Sequence, residues 1–249
     1  MTPYHLNNKT ILVTGASSGI GQRIAIFITE MGGNVVITGR DKNKLNETFS
    51  SLRGTENKML LADLCKENEL NELVQNLPLL DGIVHCDGTV QPYPIKFFTQ
   101  DKIDSVFDIN YNAQVLLMAG IGRQKKMNKN ASIVFMSSIS AHYPHKGGAL
   151  YSGSKAALES FSKVVALEFF LQGIRSNCIS AAMVKTPMYD AAAQQTTTEA
   201  MNEHINKYPL GVGLPEDVAY AAVFLLSDAS RWITGTTITL DGGFLLGGK

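Results

Sequence analysis

Tyr151 and Lys155 are the residues whose types and spacing first suggest chemistry in this chain. They lie four positions apart in the stretch GGALYSGSKAALESF, where an apolar, helix-like run begins. Four positions make about one helical turn, so both side chains would project from the same helix face. A phenol beside an ammonium group could exchange a proton with a bound molecule. Because such a pair also arises by chance, it indicates chemistry only in a supporting context.

A glycine-spaced turn supplies part of that context. The stretch ILVTGASSGIGQRIAIF places Gly15, Gly19 and Gly21 between an apolar strand and an amphipathic helix. Glycines allow positive φ and close backbone approach, and a helix that begins there directs unpaired N–H groups at an anion. The pattern predicts a pyrophosphate site for a nucleotide, although a glycine-rich turn without a ligand would have the same sequence.

Arg40 follows the second strand, nineteen residues after Gly21, where a dinucleotide site distinguishes a ribose hydroxyl from a ribose phosphate. A guanidinium suits a phosphate, so the residue favours NADP(H), with NAD(H) still possible. Arg40 could equally be a solvated charge. Asp63, which closes the third strand, could accept a hydrogen bond from an adenine amino group or cap the following helix.

Short β-branched runs alternate with helix-patterned segments along the chain. This alternation is typical of βαβ units, and the nearly continuous apolar character of the strands is typical of a sheet covered on both faces. We therefore predict an α/β fold: one Rossmann-type, doubly wound domain over residues 1–249, with about seven mainly parallel strands and helices on both faces. Residues of about 183–210 are polar and rich in Thr, Ala and Gln, and form a candidate substrate lid.

Composition excludes several classes of function. The formal net charge is zero and the charges are scattered, so neither a nucleic acid nor an anionic membrane is an expected partner. We recognise no leader and no bilayer-spanning segment, and expect a cytoplasmic protein. Cys65, Cys86 and Cys178 are widely spaced and are interpreted as reduced structural thiols, so we predict no metal site.

The carboxyl end of the predicted fifth strand, IVFMSSIS, places Ser138 at the sheet edge where ligands of open parallel sheets bind. With the glycine turn, the strand-end serine and the Tyr-Lys pair together, the chain resembles the short-chain dehydrogenase/reductase family from about Lys9 to Gly243. The resemblance rests on TGASSGIG, Asn110 in FDINYNA, Ser138, YSGSK, Thr186 after the sixth strand, and ITGTTITLDGG. Joint occurrence in this order is far more specific than any single motif, and the pattern is most similar to 3-oxoacyl-[acyl-carrier-protein] reductases.

This resemblance implies a catalytic set of Asn110, Ser138, Tyr151 and Lys155. Tyr151 would protonate the carbonyl oxygen as hydride arrives, and would act as the base in the reverse direction. Lys155 would stabilise the phenolate and hold the nicotinamide ribose. Ser138 would hydrogen-bond the substrate oxygen, and Asn110 would anchor a water that connects Lys155 to solvent, unless it only interrupts a helix.

The resemblance also implies contacts to the cofactor and the substrate. Those to the cofactor would come from Gly15, Ser17, Ser18, Gly19, Ile20, Gly21, Arg40, Asp63, Leu64, Asp87, Gly88, Tyr151, Lys155, Val184 and Thr186. Those to the substrate would come from Ser138, His142, Met183, Met188 and Tyr189, of which all but Ser138 could equally serve packing or the surface.

Two segments depart from the family pattern. Cys86, Asp87 and Gly88 stand where the family usually has Asn-Ala-Gly, and a carboxylate there is costly to desolvate unless it is paired. Ala181 and Ala182 stand where Pro-Gly is common, and should alter how the nicotinamide is shielded.

We expect an NADPH-dependent reductase that converts a ketone to a secondary alcohol, with a 3-oxoacyl thioester as the leading substrate. A basic stretch of Arg123, Lys125, Lys126 and Lys129 could receive an acidic acyl carrier protein, but could also be a solvated helix end. Gln172, where many such reductases have arginine, weakens the carrier prediction. The alternatives are a reductase or dehydrogenase of a free sugar, steroid or polyketide-like compound, or a non-catalytic cofactor-binding regulatory protein.

The helix that carries the Tyr-Lys pair is apolar around much of its circumference in AALESFSKVVALEFFL. Helices of this kind are usually buried on more than one side. The family resemblance implies that this helix packs on its copy in a homodimer or homotetramer, whereas burial within a single chain would also explain it.

Overall fold

One parallel sheet organises the chain in a computed structural model that describes residues 2–194 and 196–247. Its strands stand in the order β3-β2-β1-β4-β5-β6-β7, and every neighbouring pair is parallel. The strands are β1 Thr10–Val13, β2 Asn34–Gly39, β3 Lys58–Leu61, β4 Leu80–His85, β5 Met127–Ser138, β6 Arg175–Ala181 and β7 Thr237–Leu240. The predicted fold class is therefore confirmed.

Helices cover both faces of the sheet because alternate strand residues point to opposite sides. Ile11 and Val13 of β1 join a core with α1 and α9, while Leu12 between them joins a second core with α3, α5 and α6. The helices are α1 Gly19–Glu30, α2 Lys42–Ser50, α3 Glu67–Asn76, α4 Gln100–Phe107, α5 Ala113–Arg123, α6 Ala149–Phe169, α7 Pro187–Ala193, α8 Thr198–Ile205 and α9 Pro215–Leu226.

The strand order reverses beside β1. The chain first adds β2 and β3 on one side of β1, then crosses over to add β4 on the other side. Open parallel sheets bind ligands in the crevice that this reversal leaves at the carboxyl ends of the strands. The turn after β1 and the loop after β4 meet at this crevice.

A five-residue π-helical turn, Asp108–Asn112, separates α4 from α5. Such turns widen one turn of a helix and often mark functional sites. Asn110, at the centre of this turn, is fully buried.

The segment predicted as a lid consists mainly of two short helices, α7 and α8, in which no described residue is buried. Tyr208, which follows α8, is buried and anchors the end of the segment. Its role as a lid stays a prediction. None of the helices described here has the length and apolarity needed to cross a membrane.

Candidate active site

The turn between β1 and α1 forms a cradle that leaves no room for side chains at its glycines. Gly15 and Gly19 adopt left-handed φ angles of 60° and 58°. A Cβ on Gly21 would stand 2.4 Å from the Gly15 carbonyl oxygen. Within the described chain, Ser18 makes no side-chain cap bond at the start of α1, so the first amides of this helix remain available to an anion. The cradle therefore fits a pyrophosphate group.

A cleft of about 380 Å³ opens from this cradle along the carboxyl edge of the sheet. All of the residues expected to contact a cofactor line it, except Tyr151, Lys155 and Val184. Lys44 and Cys65 also line the cleft, although the sequence did not suggest either as a cofactor contact. Met188, expected to contact substrate, lines this cleft too.

Arg40 stands at one end of the cleft, directly after β2, with an exposed side chain. No ion pair involves its guanidinium among the residues that the structure describes. Lys44, one turn into α2, adds a second positive charge nearby. Asp63, across the cleft, accepts a hydrogen bond from the Cys65 amide at 3.1 Å, in the turn that precedes α3. It does not cap that helix, whose N-cap residue is Lys66, so the capping alternative considered for Asp63 is wrong.

Ser138, Tyr151 and Lys155 meet where β5 ends and α6 begins. Ser138 is the last residue of β5, and the other two lie in the first two turns of α6. Burial raises the pKa of the Tyr151 phenol, while a hydrogen bond with Ser138 lowers it. The Lys155 Nζ lies 5.9 Å from the centroid of the Tyr151 ring. The predicted helical turn therefore does bring the phenol and the ammonium to one place.

Lys155 is only 4% exposed and donates a hydrogen bond to the Met136 carbonyl oxygen at 2.7 Å. Burial lowers the pKa of its ammonium to about 8, against the opposing charges of Cys86, Asp87 and Cys178. The Nζ lies 3.5 Å from the position that a Cβ on Gly88 would occupy. Since Gly88 lines the cleft, Lys155 lies close to the cofactor side of the site.

Asn110 connects the loop after β4 to α6. Its Oδ1 accepts from the Thr89 amide at 2.7 Å, and its Nδ2 donates to the Thr89 carbonyl at 3.0 Å and the Ser154 hydroxyl at 3.1 Å. The carboxamide is thus engaged with protein groups. Gln114, which the sequence did not suggest, donates to the Asn110 main-chain oxygen at 3.0 Å. That oxygen has a second lone pair for the water expected here.

Asp87 lies against the cradle. A Cβ on Gly15 would stand 2.8 Å from the Asp87 amide nitrogen, so the two loops pack tightly. Burial raises the pKa of the Asp87 carboxyl despite a hydrogen bond from Thr14. Its Oδ2 is buried and has no hydrogen-bond partner in the described part of the chain. The departure from Asn-Ala-Gly therefore places a poorly compensated carboxyl beside the cleft.

The segment after β6 pairs with neighbouring backbone in place of the Pro-Gly turn. The Ala182 amide donates to Leu240 at 2.9 Å, and Val184 forms a parallel bridge with Gly213. Thr186 caps α7 by accepting from the Tyr189 amide at 3.3 Å, and lines the cleft.

The remaining residues expected at the substrate differ in placement. The Met183 amide donates to the Tyr208 hydroxyl at 3.4 Å, so its backbone helps to anchor the segment before α7. His142 lies in the loop between Ser138 and α6, with its Nε2 2.6 Å from a carboxylate oxygen of Glu159. Glu159 was not singled out from the sequence, although a carboxylate in an apolar helix is a signal that could have found it.

The basic stretch lies away from this site. Lys129 lies near the start of β5, before an irregularity in its pairing with β4. The stretch from Ser132 to Ser138 alone spans roughly 20 Å, so Lys129 and Ser138 lie at opposite edges of the sheet. Lys126 donates to the Gln75 and Leu77 carbonyl oxygens at 3.0 and 2.7 Å. These contacts favour the helix-end alternative over a docking site for a carrier protein.

Comparison with known proteins gives consistent matches over nearly the whole chain. A family model described as enoyl-(acyl carrier protein) reductase matches residues 15–245. The chain is 33% identical to a 3-oxoacyl-[acyl-carrier-protein] reductase of Rickettsia felis, over 97% of this chain and 98% of the relative. It is also 33% identical to the hydroxynaphthalene reductase-like protein Arp2 of Metarhizium majus, over 97% of each chain.

A solved structure of a short-chain type dehydrogenase/reductase from Mycobacterium ulcerans has the same fold. It superposes with a TM-score of 0.86 at 28% identity, covering 98% of this chain and 92% of the other.

Proposed function

The chain belongs to the short-chain dehydrogenase/reductase family, and from this premise we propose that it uses NADPH to reduce a ketone to a secondary alcohol. It is an oxidoreductase that acts on CH–OH and C=O groups, and its family uses NAD(P)(H) as the cofactor. The non-catalytic alternative is therefore set aside. A 3-oxoacyl thioester is the leading substrate. A cytoplasmic location stays a prediction from the sequence.

One observation carries this proposal: Ser138, Tyr151 and Lys155 converge beside a cleft whose glycine cradle fits a pyrophosphate. When NADPH is bound, its nicotinamide would supply the hydride. Ser138 donates a hydrogen bond to the substrate oxygen, where negative charge develops as the carbonyl is reduced. Tyr151 gives its phenolic proton to that oxygen. Lys155 holds the nicotinamide ribose and stabilises the phenolate that remains.

Arg40 is the group that we assign to the 2′-phosphate of NADPH. Its exposed fork lies at the end of the cleft after β2, and Lys44 adds positive charge there. A planar guanidinium binds phosphate oxygens in pairs, whereas NADH would present only hydroxyls to it.

The carrier-bound thioester is supported by the name of the Rickettsia relative, a 3-oxoacyl-[acyl-carrier-protein] reductase, and a free small-molecule substrate by that of Arp2, a hydroxynaphthalene reductase-like protein. The test compares one 3-oxoacyl group on an acyl carrier protein with the same group on a short free thiol. For a carrier-dependent reductase we expect kcat/KM to fall at least about tenfold when the carrier is removed. Equal values for both thioesters, or turnover of free ketones alone, would favour the second substrate class.

The pH dependence of reduction follows from the buried Lys155. Below pH 8 the amine is charged and can hold the ribose, and above its lowered pKa of about 8 it becomes neutral. We therefore expect kcat/KM for ketone reduction to be constant below that pH and to fall above it. Lys155→Arg keeps its charge and should lose this alkaline decline, although its activity is lower at every pH. A decline that persists unchanged in the arginine variant would assign it to another group.

Helix α6 is the surface that we assign to self-association. The side chain of Leu167 on this helix is 73% exposed. Phe170 and Leu171, which follow the last residue of the helix, are 63% and 85% exposed. The polar Glu159 and Ser162 of the same helix are instead buried. Apolar residues at the surface of a helix whose polar residues are buried favour a homodimer or homotetramer that covers the apolar face.

Leu167→Glu should therefore shift the protein to a smaller assembly, because a carboxylate is costly to bury in an apolar interface. Light scattering after size-exclusion chromatography measures the mass. Leu79→Glu, at a half-exposed leucine before β4, is the matched control and should keep the wild-type mass. An unchanged assembly in Leu167→Glu would place the interface elsewhere.

A further inference from the structure

A buried carboxylate outside the expected catalytic set lies one helical turn after Lys155. Glu159 is 4% exposed. Its Oε1 accepts a hydrogen bond from the Ser137 hydroxyl at 2.6 Å, and its Oε2 lies 2.6 Å from His142 Nε2. A carboxylate removed from water is costly unless it is hydrogen-bonded, and each oxygen of this one has a polar partner.

The partners of Glu159 belong to the segments that carry the proposed catalytic groups. Ser137 immediately precedes Ser138 on β5, and its hydroxyl is also 3.5 Å from the Lys155 carbonyl oxygen. His142 lies in the loop that returns the chain from Ser138 to Tyr151. Glu159 itself belongs to α6, so its carboxylate connects the strand, the loop and the helix.

The charged and titratable groups around Glu159 come from each of these elements and from β6. His142 approaches from the solvent side, with its Nε2 donating in the tautomer that carries hydrogen there. Lys155 and Tyr151 precede it on α6. Cys178 on β6 faces it from the sheet: burial raises the pKa of that thiol to about 11, and the charge of Glu159 adds to the rise.

On the basis of the proposed function, we propose that Glu159 is a positioning residue, which holds Ser138 against Tyr151 by fixing Ser137 and the His142 loop to α6. The Ser138 hydroxyl accepts from the Ser140 amide at 3.2 Å and lies close enough to the Tyr151 phenol to lower its pKa. An apolar residue could fill the same space, but it would leave the Ser137 hydroxyl free to rotate and the loop untethered. Small losses of alignment in an active site reduce rates strongly.

The test uses Glu159→Gln, which keeps the shape of the side chain, removes its charge and replaces one of its two acceptor oxygens by a donor, so that it cannot accept from both Ser137 and His142. The first readout is an ultraviolet titration of Tyr151, isolated by subtracting the spectrum of Tyr151→Phe. Loss of the Ser138 contact should lower the ionisation constant of the phenol, by about threefold to tenfold in Glu159→Gln and by at least as much in Ser138→Ala. His145→Gln, at an exposed histidine of the same loop, is the control and should titrate like the wild type.

The second readout compares the effect on kcat with the effects on NADPH binding and on stability. Glu159→Gln should lower kcat about tenfold while the Kd for NADPH and the melting temperature stay near wild type. His142→Gln should have a smaller effect of the same kind. The double variant should be no worse than Glu159→Gln alone, because the two residues act through one contact. If Glu159→Gln fails to fold, His142→Gln and Ser137→Ala carry the same test.

The proposal is overturned if these variants leave the Tyr151 titration and kcat unchanged, or if they weaken folding and NADPH binding as much as kcat. It is also overturned if Ser138→Ala does not shift the titration of Tyr151, because the contact that Glu159 is proposed to hold would then be absent. Failure of the proposed function has a different signature. The wild type would then reduce no ketone, while the phenol titration would still decide the role of Glu159.

Discussion

Tyr151→Phe is expected to lower the rate constant of ketone reduction by about 10²- to 10⁴-fold, the usual contribution of general acid catalysis. The substitution removes one oxygen atom and leaves the ring in place between β5 and α6. Ser138 cannot replace the acid, because an alcohol is a far weaker proton donor than a phenol, and the Lys155 ammonium already donates to the Met136 carbonyl oxygen. NADPH binding should remain, because the cradle and Arg40 are untouched.

Single-turnover reduction, followed by NADPH absorbance, measures this effect, and a fluorescence titration measures the Kd for NADPH in the same preparation. Tyr220→Phe is the matched control. It removes a phenol oxygen from the exposed face of α9, away from the cleft, and should have wild-type rates. Retention of more than about a tenth of the activity in Tyr151→Phe would contradict the assignment of Tyr151 as the acid.

Arg40→Asp is expected to have the second largest effect, a reversal of cofactor preference. Loss of the charge-assisted bonds to the 2′-phosphate should weaken NADPH binding by about 10- to 100-fold. The carboxylate would also repel the phosphate and could accept hydrogen bonds from the ribose hydroxyls, so NADH binding should hold or improve. Because Arg40 is exposed, the fold should not change.

Titration of both cofactors against wild type and variant measures the preference. Arg123→Asp, at an exposed arginine that ends α5, controls for the change in net charge and should keep the wild-type preference. Tighter binding of NADH than NADPH by the wild type, or an unchanged NADPH affinity in Arg40→Asp, would show that Arg40 does not bind the cofactor.

The elements that position this site could be predicted because their signals are local. Buried parallel strands are apolar throughout, so each strand is visible as a short β-branched run. The cradle could also be predicted from the sequence. Gly21 approaches Gly15 too closely for a side chain, so the turn requires glycine at a recognisable spacing. Both features depend on residues that are near one another in the chain.

The contacts that tune the site depend on long-range packing, which the sequence does not display. The Ser137–Glu159 pair spans 22 positions, and it forms only because α6 packs against β5. The position of the basic stretch was also hidden. In the structure β5 begins at Met127, four residues before the apolar run that predicted the strand. Lys129 therefore lies near the start of β5, at the edge of the sheet opposite to Ser138.

We propose that this chain is an NADPH-dependent carbonyl reductase, and this proposal can be tested on the wild-type protein alone. The most direct measurement is a titration of the purified protein with NADPH and with NADH. NADPH oxidation is then followed in the same sample against a panel of 3-oxoacyl thioesters and simple ketones. We predict tighter binding of NADPH than of NADH, followed by turnover of at least one ketone. Binding without turnover of any ketone, or a preference for NADH, would contradict it.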